Sequence, residues 1–211
     1  MKVYIFDLDD TLFAVNSISG DIGIPIFNSL AQINKTSKLF SESDIENIYK
    51  DCWKLPLDMV ISKYGLNNEY KNILITTYED LEVNHPLNLF EGYYQISSME
   101  ADKFLVTTGY EKLQKSKIEN LGIKDDFIEI FIDVPHINPR KDKEYYFKEI
   151  MKKYSISSKN FIVVGDNLLS EIIVAKKLGM TSVLFDSKQQ FNNHEIRPDY
   201  VVNSLEKIPK I

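Results

Sequence analysis

The stretch Val3–Thr11 reads VYIFDLDDT, four apolar residues followed by a run rich in carboxylates. A short apolar run that ends in charge is typical of a buried strand in a parallel sheet. Asp7 and Asp9 then stand at the carboxyl end of that strand, where open α/β sheets bind their ligands. Alternate residues of an extended chain share a side, so both carboxylates can face one centre unless a turn redirects the second.

Asp7 and Asp9 together suggest a particular chemistry. One aspartate can attack phosphorus covalently while a neighbouring carboxylate moves a proton. Two like charges this close repel each other unless a cation intervenes, and Mg²⁺ is a hard cation that prefers oxygen ligands. A plainer alternative stays open here, because Asp10 and Thr11 are also common in turns and at helix N-caps.

From residue 92 onward, apolar runs alternate with helical patterns. The pattern predicts helices over 110–121, 142–154 and 168–178, the first and last of them ended by Gly122 and Gly179. The predicted strands between them are 104–107, 128–132, 161–164, 182–185 and 199–202. Alternation of this kind predicts right-handed βαβ units and an α/β fold with a Rossmann-like, mostly parallel sheet.

Residues 15–88 have few strand signals. Ser41 precedes apolar residues at helical spacing, and further helices are predicted over 57–64 and from Asn67 to about residue 79. The sequence therefore predicts an all-helical cap domain at 15–88, inserted into a core domain formed by 1–14 and 89–211.

Composition restricts the compartment and the partners. No apolar run approaches the ~18 residues of a membrane span, and the first run of four apolar residues ends in Asp7, unlike a signal peptide. The single cysteine, Cys52, is expected in the cap core and excludes an intrachain disulfide. These features predict a cytoplasmic protein. The net charge of −6 argues against nucleic acid and anionic membranes as partners.

Three further sites follow predicted strands. Thr107 and Thr108 precede a helix and offer a hydroxyl and backbone N–H groups to an anion, although such residues also serve as an N-cap. Lys141 lies in a charged loop, and its ammonium suits a phosphate oxygen. The alternative is that the whole loop is simply solvated. Asp166 follows Gly165 at the end of an apolar strand and suits a hard metal ion.

These four sites, in this order, resemble the motifs of the haloacid dehalogenase-like (HAD) superfamily. The family's Asp-x-Asp-x-Thr motif matches Asp7 to Thr11, its strand-end Thr matches Thr107, and its Gly-Asp pair matches Gly165-Asp166. Lys141 stands 24 residues before Gly165, as the family's lysine does. The helical segment lies where the family carries a C1-type cap.

The resemblance implies a role for each residue. Asp7 attacks phosphorus and forms an aspartyl-phosphate, while Asp9 protonates the leaving oxygen and then deprotonates the attacking water. Asp7, Asp9 (through its carbonyl) and Asp166 hold Mg²⁺. The transferring phosphoryl group is bound by three residues, namely Thr107, Thr108 and Lys141. The aspartate at position 9 argues against dehalogenation, because the family's haloacid dehalogenases carry Tyr there.

The chain departs from the family pattern at two places. Asp142-Lys143-Glu144 replaces Pro-Asp-Pro after the expected lysine, so Arg140 or Lys143 are alternative sources of the amine. Glu171 replaces the usual second Asp of the Gly-Asp motif, and its extra methylene favours orienting Lys141 or a metal-bound water over direct ligation of a metal.

The sequence thus predicts a Mg²⁺-dependent phosphatase of a small phosphomonoester. Sugar phosphates, phosphoglycolate and nucleoside monophosphates are all open as substrates, and the opening motif and the aromatic residues of the insert favour the nucleotide class. Two alternatives remain: a phosphomutase of sugar phosphates, which shares every core residue, and a catalytically silent binding protein of the same fold.

Overall fold

The structure, a computed structural model, describes residues 2–53, 55, 57–192 and 194–211. Six strands form one sheet in the order β3-β2-β1-β4-β5-β6, and each neighbouring pair is parallel. The strands are β1 Val3–Phe6, β2 Asp102–Thr108, β3 Glu129–Asp133, β4 Phe161–Gly165, β5 Thr181–Phe185 and β6 Tyr200–Val202. The predicted α/β fold with a Rossmann-like parallel sheet is confirmed.

The described residues form eight α-helices. They are α1 Ile24–Ser37, α2 Glu42–Cys52, α3 Leu57–Tyr64, α4 Asn68–Asp80, α5 Tyr93–Ser97, α6 Glu111–Leu121, α7 Lys143–Tyr154 and α8 Ile173–Leu178. A π-helical turn, Leu168–Ile172, leads into α8. Four of the helices, α1 to α4, lie in the segment 15–88, and its described residues include no strand. Interactions between residues close in the sequence fix where helices begin. For example, Ser41 and Asp44 form a capping box at the N-terminus of α2.

The strand β1 lies at the centre of the sheet, between β2 and β4. Successive residues of a strand point to opposite faces. Tyr4 and Phe6 accordingly pack in a large hydrophobic cluster on one face, while Val3 and Ile5 pack on the other face in a smaller cluster that includes Phe147 of α7. All four side chains are buried, so β1 contributes to both layers of the core.

The large cluster continues from the sheet into the helical segment. Ile26 and Leu30 of α1 belong to the same cluster as Phe6. Cys52 is also buried there, and burial raises the pKa of its thiol to about 11, which agrees with a packing role. The division into a core domain of 1–14 and 89–211 and a cap domain of 15–88 stays a prediction.

The order of the strands determines where a site can form. The chain leaves β1 towards β2 and β3 on one side, and later towards β4, β5 and β6 on the other. The carboxyl ends of β1 and β4 therefore border a switch point, where doubly wound sheets form a ligand crevice. Asp7 follows β1 directly, and Asp166 follows β4. Among the described residues, no helix combines the length and apolar character that crossing a membrane requires.

Candidate active site

Three carboxylates meet at the carboxyl ends of β1 and β4. Asp7, Asp166 and Glu171 each place one oxygen within 4.8 Å of the others. Asp7 and Glu171 are buried, whereas Asp166 opens to solvent. Burial raises the pKa of Asp7 well above its ordinary range and outweighs the opposing effect of the nearby Lys143 ammonium. Asp7 and Asp166, two of the residues predicted to hold the metal, therefore lie together, and Glu171 is the third carboxylate of the cluster.

The amine beside this cluster belongs to Lys143. Its Nζ lies 2.6 Å from Oδ1 of Asp7 and also donates to a carboxylate oxygen of Glu171. Burial alone would lower the pKa of Lys143, but the two carboxylates outweigh that effect and raise it. Only 7% of the Lys143 side chain is exposed, so the ammonium is held inside the site.

The structure places Lys143, one of the two alternatives to Lys141, beside the cluster, and the role of either lysine in binding phosphate stays a prediction. Lys141 is exposed, and its Nζ lies 5.2 Å from the ring centroid of Tyr145 instead of at the cluster. The reason lies in the start of α7: the Asp142 carboxylate accepts from the backbone N–H of Tyr145 and caps the helix. Lys143 is consequently the first helical residue, while Lys141 precedes the cap.

The other alternative for the amine, Arg140, has a different partner. Its guanidinium donates through Nε and Nη2 to the two carboxylate oxygens of Asp133, at 2.8 and 2.7 Å. The Thr108 hydroxyl donates to the same carboxylate at 2.9 Å. Asp133 is 1% exposed, and this buried acceptor binds the loop before α7 to the end of β2. Sequence reasoning did not single out Asp133.

Thr107 is buried at the end of β2. Its Oγ1 lies 2.6 Å from Nε2 of Gln114, which donates to it. Because Oγ1 of Thr107 accepts this hydrogen bond, the Thr107 hydroxyl can donate its own proton to another acceptor, such as a phosphate oxygen. Gln114 was not predicted, although a polar residue among the apolar positions of α6 was a signal that could have identified it.

The Asp9 carboxylate is not part of the cluster that Asp7 forms with Asp166 and Glu171. A turn follows β1, because the backbone N–H groups of Thr11 and Leu12 both donate to the Leu8 carbonyl. Both carboxylate oxygens of Asp9 instead accept from Nζ of Lys117, each at a distance of 2.9 Å. The turn that the sequence left open thus redirects the second aspartate towards α6.

Glu171 reaches the cluster because the chain after β4 is tightly packed. Its carboxylate accepts from the backbone N–H of Asn167 at 3.3 Å. A Cβ at Gly165 would lie 2.6 Å from Cγ of Glu171, so only glycine leaves room for this side chain. Although Asp166 opens to solvent, the protein atoms around its carboxyl displace part of the water and raise its pKa to about 7; Glu171 and Asp10 add to the shift and Lys143 opposes it.

The cluster suits a divalent metal ion. Three carboxylates face one buried lysine, so the site carries excess negative charge that a hard cation would neutralise. The donors are all oxygen atoms, which Mg²⁺ prefers over nitrogen and sulfur. A cavity of about 280 Å³ lies against Asp166 and Asp10, with Phe185 and Phe191 among its other lining residues.

Residues 4–185 match a protein family that is described as haloacid dehalogenase-like hydrolase. The chain belongs to this family, as the order of its motifs predicted. It is 25% identical to the glyceraldehyde 3-phosphate phosphatase of Pyrococcus furiosus, over 100% of this chain and 92% of that protein. The protein of the same name from Methanocaldococcus jannaschii is 26% identical, over 100% and 96% of the two chains.

A solved structure shows the same fold. The HAD-hydrolase YfnB from Bacillus subtilis, bound to magnesium, matches with a TM-score of 0.62 and 16% identity, over 99% of this chain and 96% of that one. The fold and the family define a hydrolase of the HAD class. Within that class, the protein is a phosphoric monoester hydrolase, an HAD-like phosphatase.

Proposed function

We propose that the protein hydrolyses a small phosphomonoester through an aspartyl-phosphate on Asp7. The observation that carries this proposal is the Asp7 carboxylate itself, buried at a strand end with the Lys143 ammonium 2.6 Å away. A carboxylate oxygen of Asp7 forms a bond to phosphorus as the ester O–P bond breaks. Asp9 gives a proton to the leaving oxygen.

The second half of the reaction releases phosphate. Water attacks the phosphorus atom and passes a proton to Asp9, and the Asp7–phosphorus bond breaks. Both carboxylates return to their first state. In both halves the charge on the transferring group is spread over three oxygens. Thr107, the backbone N–H of Thr108 and Lys143 are the donors that we assign to those oxygens, with Lys143 in the role predicted for Lys141.

Asp7, Asp166 and the carbonyl of Asp9 are the proposed ligands of a Mg²⁺ ion. When bound, the ion neutralises the cluster's carboxylates and the charge of the phosphoryl group. Glu171 is assigned a supporting role, because its carboxylate already accepts from Lys143 and from the backbone of Asn167. It thereby orients Lys143 beside Asp7.

The proposed substrate is a three-carbon phosphate such as glyceraldehyde 3-phosphate. Support comes from the relatives of that name, which align over this whole chain. Nucleoside monophosphates are the second class to test. The aromatic residues that suggested them are engaged within the cap: Tyr70 is fully buried, and the Tyr78 hydroxyl donates to the Cys52 carbonyl.

The experiment is a phosphate-release assay with Mg²⁺ over three-carbon phosphates, sugar phosphates and nucleoside monophosphates. We expect turnover that is highest for the three-carbon class and is lost in Asp7→Asn. Full activity of Asp7→Asn would exclude the nucleophile. Isomerisation of a sugar phosphate without phosphate release would indicate the phosphomutase, and inactivity on the whole panel would favour the binding protein.

A further inference from the structure

Lys117 is a buried lysine of α6 for which the proposed reaction has so far no role. Only 6% of its side chain is exposed, and its Nζ lies 2.9 Å from each carboxylate oxygen of Asp9. An ammonium is costly to bury unless it is paired with an acceptor in good geometry. The Asp9 carboxylate is that acceptor, and its two oxygens are both engaged by one donor.

Gln114 holds the same carboxylate from the preceding turn of α6. Its Nε2 donates to Oδ2 of Asp9 at 3.1 Å and to Oγ1 of Thr107 at 2.6 Å. In its ionised form, which takes the proton of the attacking water, the Asp9 carboxylate only accepts hydrogen bonds, so the amide nitrogen of Gln114 faces Asp9. Gln114 therefore connects the residue that moves the proton to a residue that binds the phosphoryl group.

The neighbouring lysine on α6 differs from Lys117. The Lys115 ammonium pairs with Glu111 one turn earlier, and both side chains are at least 60% exposed. Exposed pairs of this kind contribute little. The burial of Lys117 and its contact with Asp9 are therefore specific to its position on the helix.

We propose that Lys117 is a positioning residue for proton transfer, which it supports by orienting Asp9. This inference rests on the proposed function, in which Asp9 exchanges a proton with the leaving oxygen. Asp9 lies in the turn after β1, and the side chains of Lys117 and Gln114 on α6 donate to its carboxylate. With Lys117 and Gln114 in place, the carboxylate keeps one orientation relative to Thr107. Small misplacements of a reacting group cost a large part of the rate.

The test compares two substrates whose leaving groups need protonation by Asp9 to different degrees. Glycerol 3-phosphate releases an alkoxide, which requires protonation, whereas 4-nitrophenyl phosphate releases a stable phenolate. We expect Lys117→Met to lower kcat on glycerol 3-phosphate about 100-fold, since general acid catalysis contributes at least that much. On 4-nitrophenyl phosphate the loss should be at least tenfold smaller. KM should change little on both substrates, and Lys117→Arg should restore part of the rate.

Two variants serve as controls. Lys115→Met removes an exposed lysine from the same helix and should retain wild-type kcat. Lys103→Met removes a buried lysine of β2 whose Nζ donates to the carbonyls of Ile96, Ser97 and Met99. It should lower Tm without distinguishing the two substrates, which separates a loss of stability from a loss of positioning.

A second measurement does not depend on turnover. If the ion pair holds Asp9, Lys117→Met should lower Tm less in an Asp9→Asn background than in the wild type, by about 2 °C or more. Equal losses of kcat on the two substrates, or additive changes in Tm, would overturn the positioning role while leaving the phosphatase proposal intact. A wild-type protein that turns over neither these two esters nor any phosphate of the panel would overturn both proposals.

Discussion

Lys143 is the residue on which the electrostatics of the site depend. Its ammonium contacts Asp7 and Glu171, and all three side chains are at most 7% exposed. A buried ion pair does not by itself stabilise a protein, but removal of one partner leaves a charge without compensation. At this site the remaining charges would be two carboxylates.

We therefore expect Lys143→Met to impair both activity and stability. The kcat of phosphate release should fall at least about 100-fold, because a donor to the developing charge is lost. The free energy of unfolding should fall by about 3 kcal/mol, as for other broken buried pairs. Steady-state kinetics and urea unfolding measure the two effects.

Lys141→Met is the matched control for this prediction. It removes the same charge two residues earlier, where the side chain is exposed and contacts the Tyr145 ring. Activity and stability should stay close to the wild type. Loss of turnover in Lys141→Met, with Lys143→Met fully active, would return the role to the residue that the sequence predicted.

At the scale of elements, the N-terminus of α7 places Lys143. The Asp142 carboxylate accepts from the backbone N–H of Tyr145 at 2.9 Å and fixes the first turn of the helix. We expect Asp142→Ala to lower the free energy of unfolding by about 1 kcal/mol and to reduce kcat severalfold, because the first turn loosens around Lys143. Asp142→Asn should retain most of the stability and most of the kcat, since asparagine also caps helices.

The comparison for this variant is Ser41→Ala, at the N-cap of α2. Ser41 forms a capping box with Asp44, so its loss should cost a similar amount of stability. The kcat should remain at the wild-type value because α2 carries none of the proposed catalytic residues. Equal kcat values for Asp142→Ala and Ser41→Ala would contradict the role of the cap in placing Lys143.

At the scale of the whole molecule, the helical segment and the sheet share one hydrophobic cluster. It extends from Phe6 in β1 to Leu30 in α1 and Leu74 in α4, all fully buried. A continuous core of this kind favours unfolding in one cooperative step. The single tryptophan, Trp53, lies in the segment 15–88 and packs edge-on against Tyr49, so its fluorescence reports on that segment.

We expect urea unfolding followed by Trp53 fluorescence and by far-ultraviolet circular dichroism to give coincident transitions. The circular dichroism signal reports on every helix and strand, including those around the sheet. A fluorescence midpoint clearly below that of circular dichroism would mean that the cap unfolds independently. The segment would then be a separate stability unit despite the shared cluster.

A metal ion bound by the carboxylate cluster should stabilise the whole fold. A ligand that binds only the native state at a hundredfold excess over its Kd adds about 2.7 kcal/mol. For a chain of this length, that amount raises Tm by about 5 to 10 °C. We expect Mg²⁺ to produce such a shift in differential scanning fluorimetry and Asp166→Asn to remove most of it. The exposed Glu100 supplies the control, since Glu100→Gln should retain the shift.

The sequence predicted most of the fold because its signals are local. The apolar run before Asp7, the capping residue Ser41 and the glycine at 122 each act within a few residues of their own position. The structure has a strand, a capped helix and a helix end at those places. The helix α1 was not predicted individually, although its buried residues Ile26, Leu30 and Ile33 recur at helical spacing.

By itself, the sequence determined the family, the parallel sheet and the strand ends that bear Asp7, Thr107 and Asp166, because the alternation of strands and helices makes the strands parallel and so brings their carboxyl ends to one edge. Only the tertiary structure decided which lysine reaches Asp7 and which residues hold Asp9. Those contacts join residues more than 100 positions apart. They depend on how α6 and α7 pack and on the faces that they turn towards the sheet, which no local pattern specifies.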